Sequence, residues 1–139
     1  MARSKSGLFL MELIIAICFF AVASAICIQL FAHAHNLSQR SKGIQMAVIN
    51  AQSVAEGFRG LHGDVDSLAN LWNVQANDGR FVAWFDDDWA KISQNGRFEM
   101  VVEIDTASVP AILDITVTDT MLETELYSAR LRRYLNVRN

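Results

Sequence analysis

The chain has 139 residues, 52% of them hydrophobic and 19% charged, with a formal net charge of −3. This length suits one domain, or one domain with an anchor. No basic stripe accompanies the mild acidity, so an electrostatic grip on nucleic acid is not expected.

Residues 1–7, MARSKSG, are polar and basic. Under the positive-inside rule Arg3 and Lys5 favour a cytoplasmic start, a bias weakened by Arg40 and Lys42 beyond the apolar run. From Leu13 to Ala32 there is no formal charge, and only Ser24 and Gln29 are clearly polar. Twenty helical residues at about 1.5 Å each reach roughly 30 Å, the thickness of a hydrocarbon core, which predicts a membrane-spanning helix. Cys18 and Cys27 lie inside this run and are the only cysteines. On one helix they stand about 13 Å apart along the axis and cannot bridge each other. They read as small apolar membrane residues, and the rest of the chain has no thiol for a disulfide or a metal.

Glu12 opens the run. A carboxylate at the centre of a spanning helix costs about 2.5–3.5 kcal/mol on insertion scales, and less near the end. Such a residue needs a partner, a function, or a place at the interface.

Beyond the span the helical pattern continues. Leu37, Ile44, Val48, Ala51, Ala55 and Phe58 fall on one face, with polar residues between them, and no proline interrupts 8–59. The pattern ends at GFRGLHGD, where Gly57, Gly60 and Gly63 supply stop chemistry. A helix of this length, roughly 75–80 Å, exceeds a bilayer, so its second half must pack its apolar stripe on something. Residues 64–79 form a connection in which Asp66 caps a short turn carrying Leu68, Leu71 and Trp72, and NDG at 77–79 marks a turn.

From Arg80 the period becomes two. RFVAWF (80–85), WAKIS (89–93), RFEMVVEID (97–105) and ILDITVTD (112–119) read as strands, separated by Asp86–Asp88, by QNG (94–96) and by Pro110. LETELYSARLRRYL (122–135) fits either a strand or a helix, and the alternation of Tyr127, Ala129 and Leu131 favours a strand. The expected fold is α+β: a long N-terminal helix packed by its amphipathic second half on an antiparallel sheet of about four or five strands.

Few constellations carry chemistry. His33 and His35 are two apart and do not share a helical face, which a zinc pair would require. Asp86–Asp88 could meet a hard cation but lacks the alternating oxygen ligands of a calcium loop, and a solvated hairpin tip is the simpler reading. Arg130, Arg132 and Arg133 read as a solvated edge. No phosphate loop, GxSxG elbow or Cys–His pair is present, so no enzyme, metal or cofactor is expected.

SGLFLMELIIAI (6–17) resembles the N-terminal signature of type IV pilins and of the pseudopilins of type II secretion and competence systems. The family pattern is a short basic leader ending in Gly, an apolar residue, Glu fifth after the Gly, and an unbroken apolar helix. Gly7, Leu8 and Glu12 match it, and Arg3 and Lys5 match the leader. The resemblance implies cleavage between Gly7 and Leu8 by a prepilin peptidase, N-methylation of Leu8, and passage from the membrane into a helical filament. It implies that Glu12 pairs with the exposed N-terminal amine of a neighbouring subunit. Partners would be other pilin or pseudopilin subunits, the peptidase and the pilus assembly platform. The place would be the cytoplasmic membrane, N-terminus inside, and then a cell-surface or periplasmic filament. On this reading the chain divides into a leader (1–7), a membrane or filament-core helix (8–32), its amphipathic continuation (33–59) and an extracytoplasmic loop and sheet (60–139). Leu8 stands where the family usually has Phe, and Gln29 where many members have a kinking Pro. No C-terminal disulfide can form. These departures, with the small sheet, favour a minor pilin or pseudopilin over a main fibre subunit.

Two rivals follow from the same residues. Ala23-Ser24-Ala25 and Ala32-His33-Ala34 have the small-x-small form of a signal-peptidase site, as in an exported protein. A plain single-span anchor carrying an extracytoplasmic domain would leave the spacing of Gly7 and Glu12 a coincidence.

Overall fold

The computed structural model describes residues 2–134. In chain order they form α1 (Ala2–Gly60), α2 (Val65–Leu71), β1 (Arg80–Phe85), β2 (Lys91–Ile92), β3 (Phe98–Asp105), β4 (Ala111–Asp119) and β5 (Thr124–Arg133). The chain divides into two compact units, one up to Ser41 and one from Lys42. The first is helical throughout its described residues.

The second unit is α+β. Its five strands form one antiparallel sheet in the order β2-β1-β3-β4-β5. β1, β3 and β4 alternate strictly between buried and part-exposed residues over most of their length, as the period-two pattern requires. Their inward side chains meet Ala47, Ala51, Val54 and Phe58 of α1 and Leu68 of α2 in one core. Phe58 and Phe81 are at most 2% exposed. Burial of side chains of this kind is worth about 1.5–3 kcal/mol each.

The helical stripe is displaced from the expected one. Ala51 and Phe58 are buried as predicted, whereas Ala47 and Val54 replace Val48 and Ala55 at its centre, and Ile44 is exposed. At 100° per residue the buried face is turned by about 60°. The buried face includes the small residues Gly43, Ala47 and Ala51, and a Cβ on Gly43 would make ordinary contact with Leu126 Cδ1 at 3.8 Å.

α1 ends as its glycines suggest, though His62 takes the left-handed position (φ 56°). Gly63 N–H donates to the Phe58 carbonyl at 3.1 Å, the six-to-one bond of a Schellman ending. Asp64, rather than the expected Asp66, caps α2. Its carboxylate accepts from Asp66 N–H at 3.3 Å and from the Ser67 hydroxyl.

β5 is a strand, which resolves the ambiguity of 122–135. The register slips between Val117 and Thr118, whose partners are Tyr127 and Glu125, and Leu126 is the extra residue. This bulge lets the consecutive residues Leu126 and Tyr127 both pack against the core. β2 is shorter than the expected 89–93. Trp89 adopts φ 64° and stacks on Phe98 with ring centroids 4.1 Å apart, which removes it from the strand.

Candidate functional site

The sequence-predicted site lies on α1, in the unit up to Ser41. Gly7, Leu8 and Glu12 all fall within this helix. Leu8 and Glu12 are four residues apart and Lys5 lies three before Leu8, so the three occupy one face. Leu8, Phe9, Leu10 and Met11 are exposed, and so are the large apolar residues onward to Phe31, which is 79% exposed. The helix is long and apolar enough to cross a membrane, and none of its most apolar stretch is buried within the chain. Exposed apolar surface of this extent marks contact with lipid or with another protein.

Gly7, which lies off this face, and Glu12, which lies on it, make no packing or polar contact that explains them among the described residues. A Cβ at Gly7 would meet nothing within 4 Å. Glycine in a helix interior is about 1 kcal/mol worse than alanine, so neither packing nor propensity accounts for it. Glu12 makes no ion pair or side-chain hydrogen bond among the described residues. Cys18 and Cys27 are free and exposed.

The other candidates lie in the sheet unit and serve structure. Asp86 Oδ1 accepts from Asp88 N–H and Ala90 N–H, both at 2.9 Å, and closes the turn before β2. Asp87 pairs with Arg97 at 2.8 Å. The hydrogen bond with Asp87 raises the Arg97 guanidinium pKa, desolvation opposes it, and Asp119 adds to the rise. Among the described residues no group of three or more His, Cys, Asp or Glu is placed to hold a metal. The Asp86 carboxylate serves the turn and the Asp87 carboxylate the ion pair.

Two structural sites were not legible beforehand. Asp119, 3% exposed, accepts from Met121 N–H at 3.0 Å and Leu122 N–H at 3.1 Å, and its other oxygen stands 3.5 Å from Arg97 Nε. It ties the β4–β5 turn to the start of β3. The basic cluster is also more than a solvated edge. Arg130 grips Asp114 across the strands with two bonds of 2.6 and 3.0 Å, and Arg133 reaches the carbonyls at the end of α1. An Asp ending a strand and an Arg opposite an Asp are weak signals, because only register brings the partners together.

No protein-family model, curated protein or solved structure matches the chain. Fold and site together define a class by architecture: an α+β chain of pilin-like build. It carries a long N-terminal helix with an exposed apolar stretch and, from Lys42 onward, a small antiparallel sheet under the helix.

Proposed function

We propose that the chain is a structural subunit, a minor pilin or pseudopilin, of a type IV pilus or a related secretion or competence filament. It is processed after Gly7 and assembles through its N-terminal helix. The observation that carries this reading is the occurrence of Gly7 and Glu12 at the start of an exposed apolar helix, where neither residue makes a packing or polar contact among the described residues. A peptidase that reads Gly7 and a neighbouring subunit that pairs with Glu12 supply both roles. Cleavage would expose an amine at Leu8. In an apolar filament core that amine and the Glu12 carboxylate of a neighbour offset each other's desolvation and select an axial register. The function is then structural rather than catalytic. Its partners are other subunits, the prepilin peptidase, the assembly platform and the membrane.

The N-terminal sequence and mass of the mature protein, purified from cells that carry a prepilin peptidase, test this. A start at N-methylated Leu8 is expected. A start at Ile26 or His35 would mean signal-peptidase processing, and an intact Met1 would mean a simple anchor; either overturns the filament reading.

A further inference from the structure

The sheet unit has two ends, and α1 distinguishes them. Residues 43–58 of α1 run alongside β5 in the same direction. A Cβ on Gly43 would lie 3.8 Å from Leu126 Cδ1, and the Arg133 guanidinium reaches the Phe58 carbonyl at 3.4 Å. The end that holds Gly43 and Leu126 is therefore the one at which the chain enters from the apolar run. Strand register puts the β4–β5 turn at this entry end, because Asp119 pairs with Thr124. It puts the β3–β4 connection at the far end, because Asp105 pairs with Ile112 and Ala111 with Arg133.

Both ends expose apolar side chains. Met121 and Leu122, adjacent in the β4–β5 turn, are 77% and 64% exposed, and Val109 in the β3–β4 connection is 86% exposed. Met121 and Leu122 stand on a fixed turn. Their N–H groups both donate to Asp119 Oδ1, at 3.0 and 3.1 Å, and the Thr120 hydroxyl donates to the Arg97 carbonyl at 2.8 Å. The length of chain limits how far the entry end can stand from a bilayer. Lys42 is ten residues beyond Ala32, the end of the uncharged run, and all of them are helical, so at most about 15 Å separates the two. The headgroup layer takes up about 5–7 Å of that distance. From Leu126 back to Leu122, strand and turn project about 10 Å past Gly43, on the side away from Phe58.

We propose that Met121 and Leu122 dip into the headgroup region of the bilayer that α1 spans, on the side where the sheet unit lies. The proposal rests on the membrane-spanning reading of α1 and applies to the chain while it is anchored, whether or not it later enters a filament. Asp119 already satisfies the two N–H groups of the tip, so no bare donor leaves water with the side chains. The anchor keeps the tip beside lipid, so a weak apolar preference is enough to hold it there. The charges nearby select the kind of surface. Asp88, Glu123 and Glu125 are exposed at this end and make no ion pair among the described residues, against the single cation of Lys42. An acidic rim around an apolar tip fits a zwitterionic surface better than an anionic one.

The test uses the full chain in phosphatidylcholine nanodiscs that hold one chain each. Some of the lipid carries a spin label on the acyl chain just below the headgroup. Loss of the Met121 and Leu122 methyl signals is expected, with the Val109 methyl signals retained. The Glu123 amide signal, weakened in the natural chain, should recover in the Met121→Ser, Leu122→Ser double variant. Full intensity at Met121 and Leu122 while residues 13–32 lose theirs would overturn the proposal and leave the spanning reading standing, as would equal loss at Val109. Full intensity along 13–32 as well would remove the spanning reading and the proposal with it. Loss caused by a label on a second chain in two-chain discs, and not by the lipid label, would assign the turn to a neighbouring copy and also overturn the proposal.

Discussion

The Arg133 guanidinium, at the end of β5, donates to the Phe58 carbonyl at 3.4 Å and to the adjoining Arg59 carbonyl. The last carbonyls of α1 are thus met by a cation from a strand 75 residues away in sequence. A positive charge there complements the negative end of the helix dipole. Arg133→Ala should lower stability by about 0.5–1.5 kcal/mol, read by urea unfolding of the full chain in micelles. Arg133→Lys, which keeps the charge, should recover part of that loss. Equal loss in both variants would mean that packing of the side chain matters and the charge does not.

Two buried glycines should respond in opposite directions. At Gly96 an added Cβ would collide with the backbone of Phe85, and backbone has no room to yield. Gly96→Ala should destabilise by about 2 kcal/mol or more. At Gly43 the added Cβ would make ordinary contact with Leu126. Gly43→Ala should be neutral or stabilising by up to about 1 kcal/mol, because helix propensity improves. Thermal melting of the two variants side by side checks the contrast.

Acid should loosen two turns of the sheet unit. The Ser67 hydroxyl holds the Asp64 carboxyl below its usual pKa, and the Ser108 hydroxyl does the same for Asp105, with backbone N–H groups adding to each. A depressed folded-state pKa means that the stabilisation is present above the unfolded value. It is lost as the pH falls through the folded one. Both contributions should hold at neutral pH and disappear below about pH 3.9. Hydrogen exchange at Asp66 and Ala107 should quicken over that window. In Asp64→Asn and Asp105→Asn chains the same amides should lose this dependence on pH.

Gly7→Ala separates structure from processing. The substitution meets nothing within 4 Å, so helix content and thermal stability should be unchanged or slightly higher. On the filament reading the variant should stay uncleaved in cells that process the natural chain. A mass showing cleavage at the same bond would remove the reason for glycine at this position.

Glu12→Ala should leave cleavage at Gly7 largely intact and impair incorporation into filaments, measured as the ratio of sheared to membrane-bound protein. Normal incorporation would end the charge-pair mechanism. Glu12→Gln keeps the shape and removes the charge, so it should fail as Glu12→Ala does.

The apolar run from Leu13 to Ala32, the strands 80–85, 97–105 and 112–119, and the glycine-rich stop near residue 60 were all legible in sequence. Each depends on neighbours within a few residues: periodicity, the absence of charge, or turn chemistry. The face of α1 was read less well. Which residues touch the sheet depends on how the helix is turned against it, and Ala47 and Val54 rather than Val48 and Ala55 sit at the centre of the buried face. The same holds for the candidate site. Gly7 and Glu12 were singled out by the resemblance of 6–17 to a known N-terminal signature, and among the described residues neither makes a contact that explains it.

The sequence by itself determined the elements, their order and the anomaly of an acid at the mouth of an apolar helix, because these are properties of short segments. Only the tertiary structure decided which partners Arg133, Asp119 and Leu126 meet. Those outcomes follow from strand register and a bulge. Register is a long-range quantity, since a shift of one residue changes every opposing pair, and no local stretch of chain carries it.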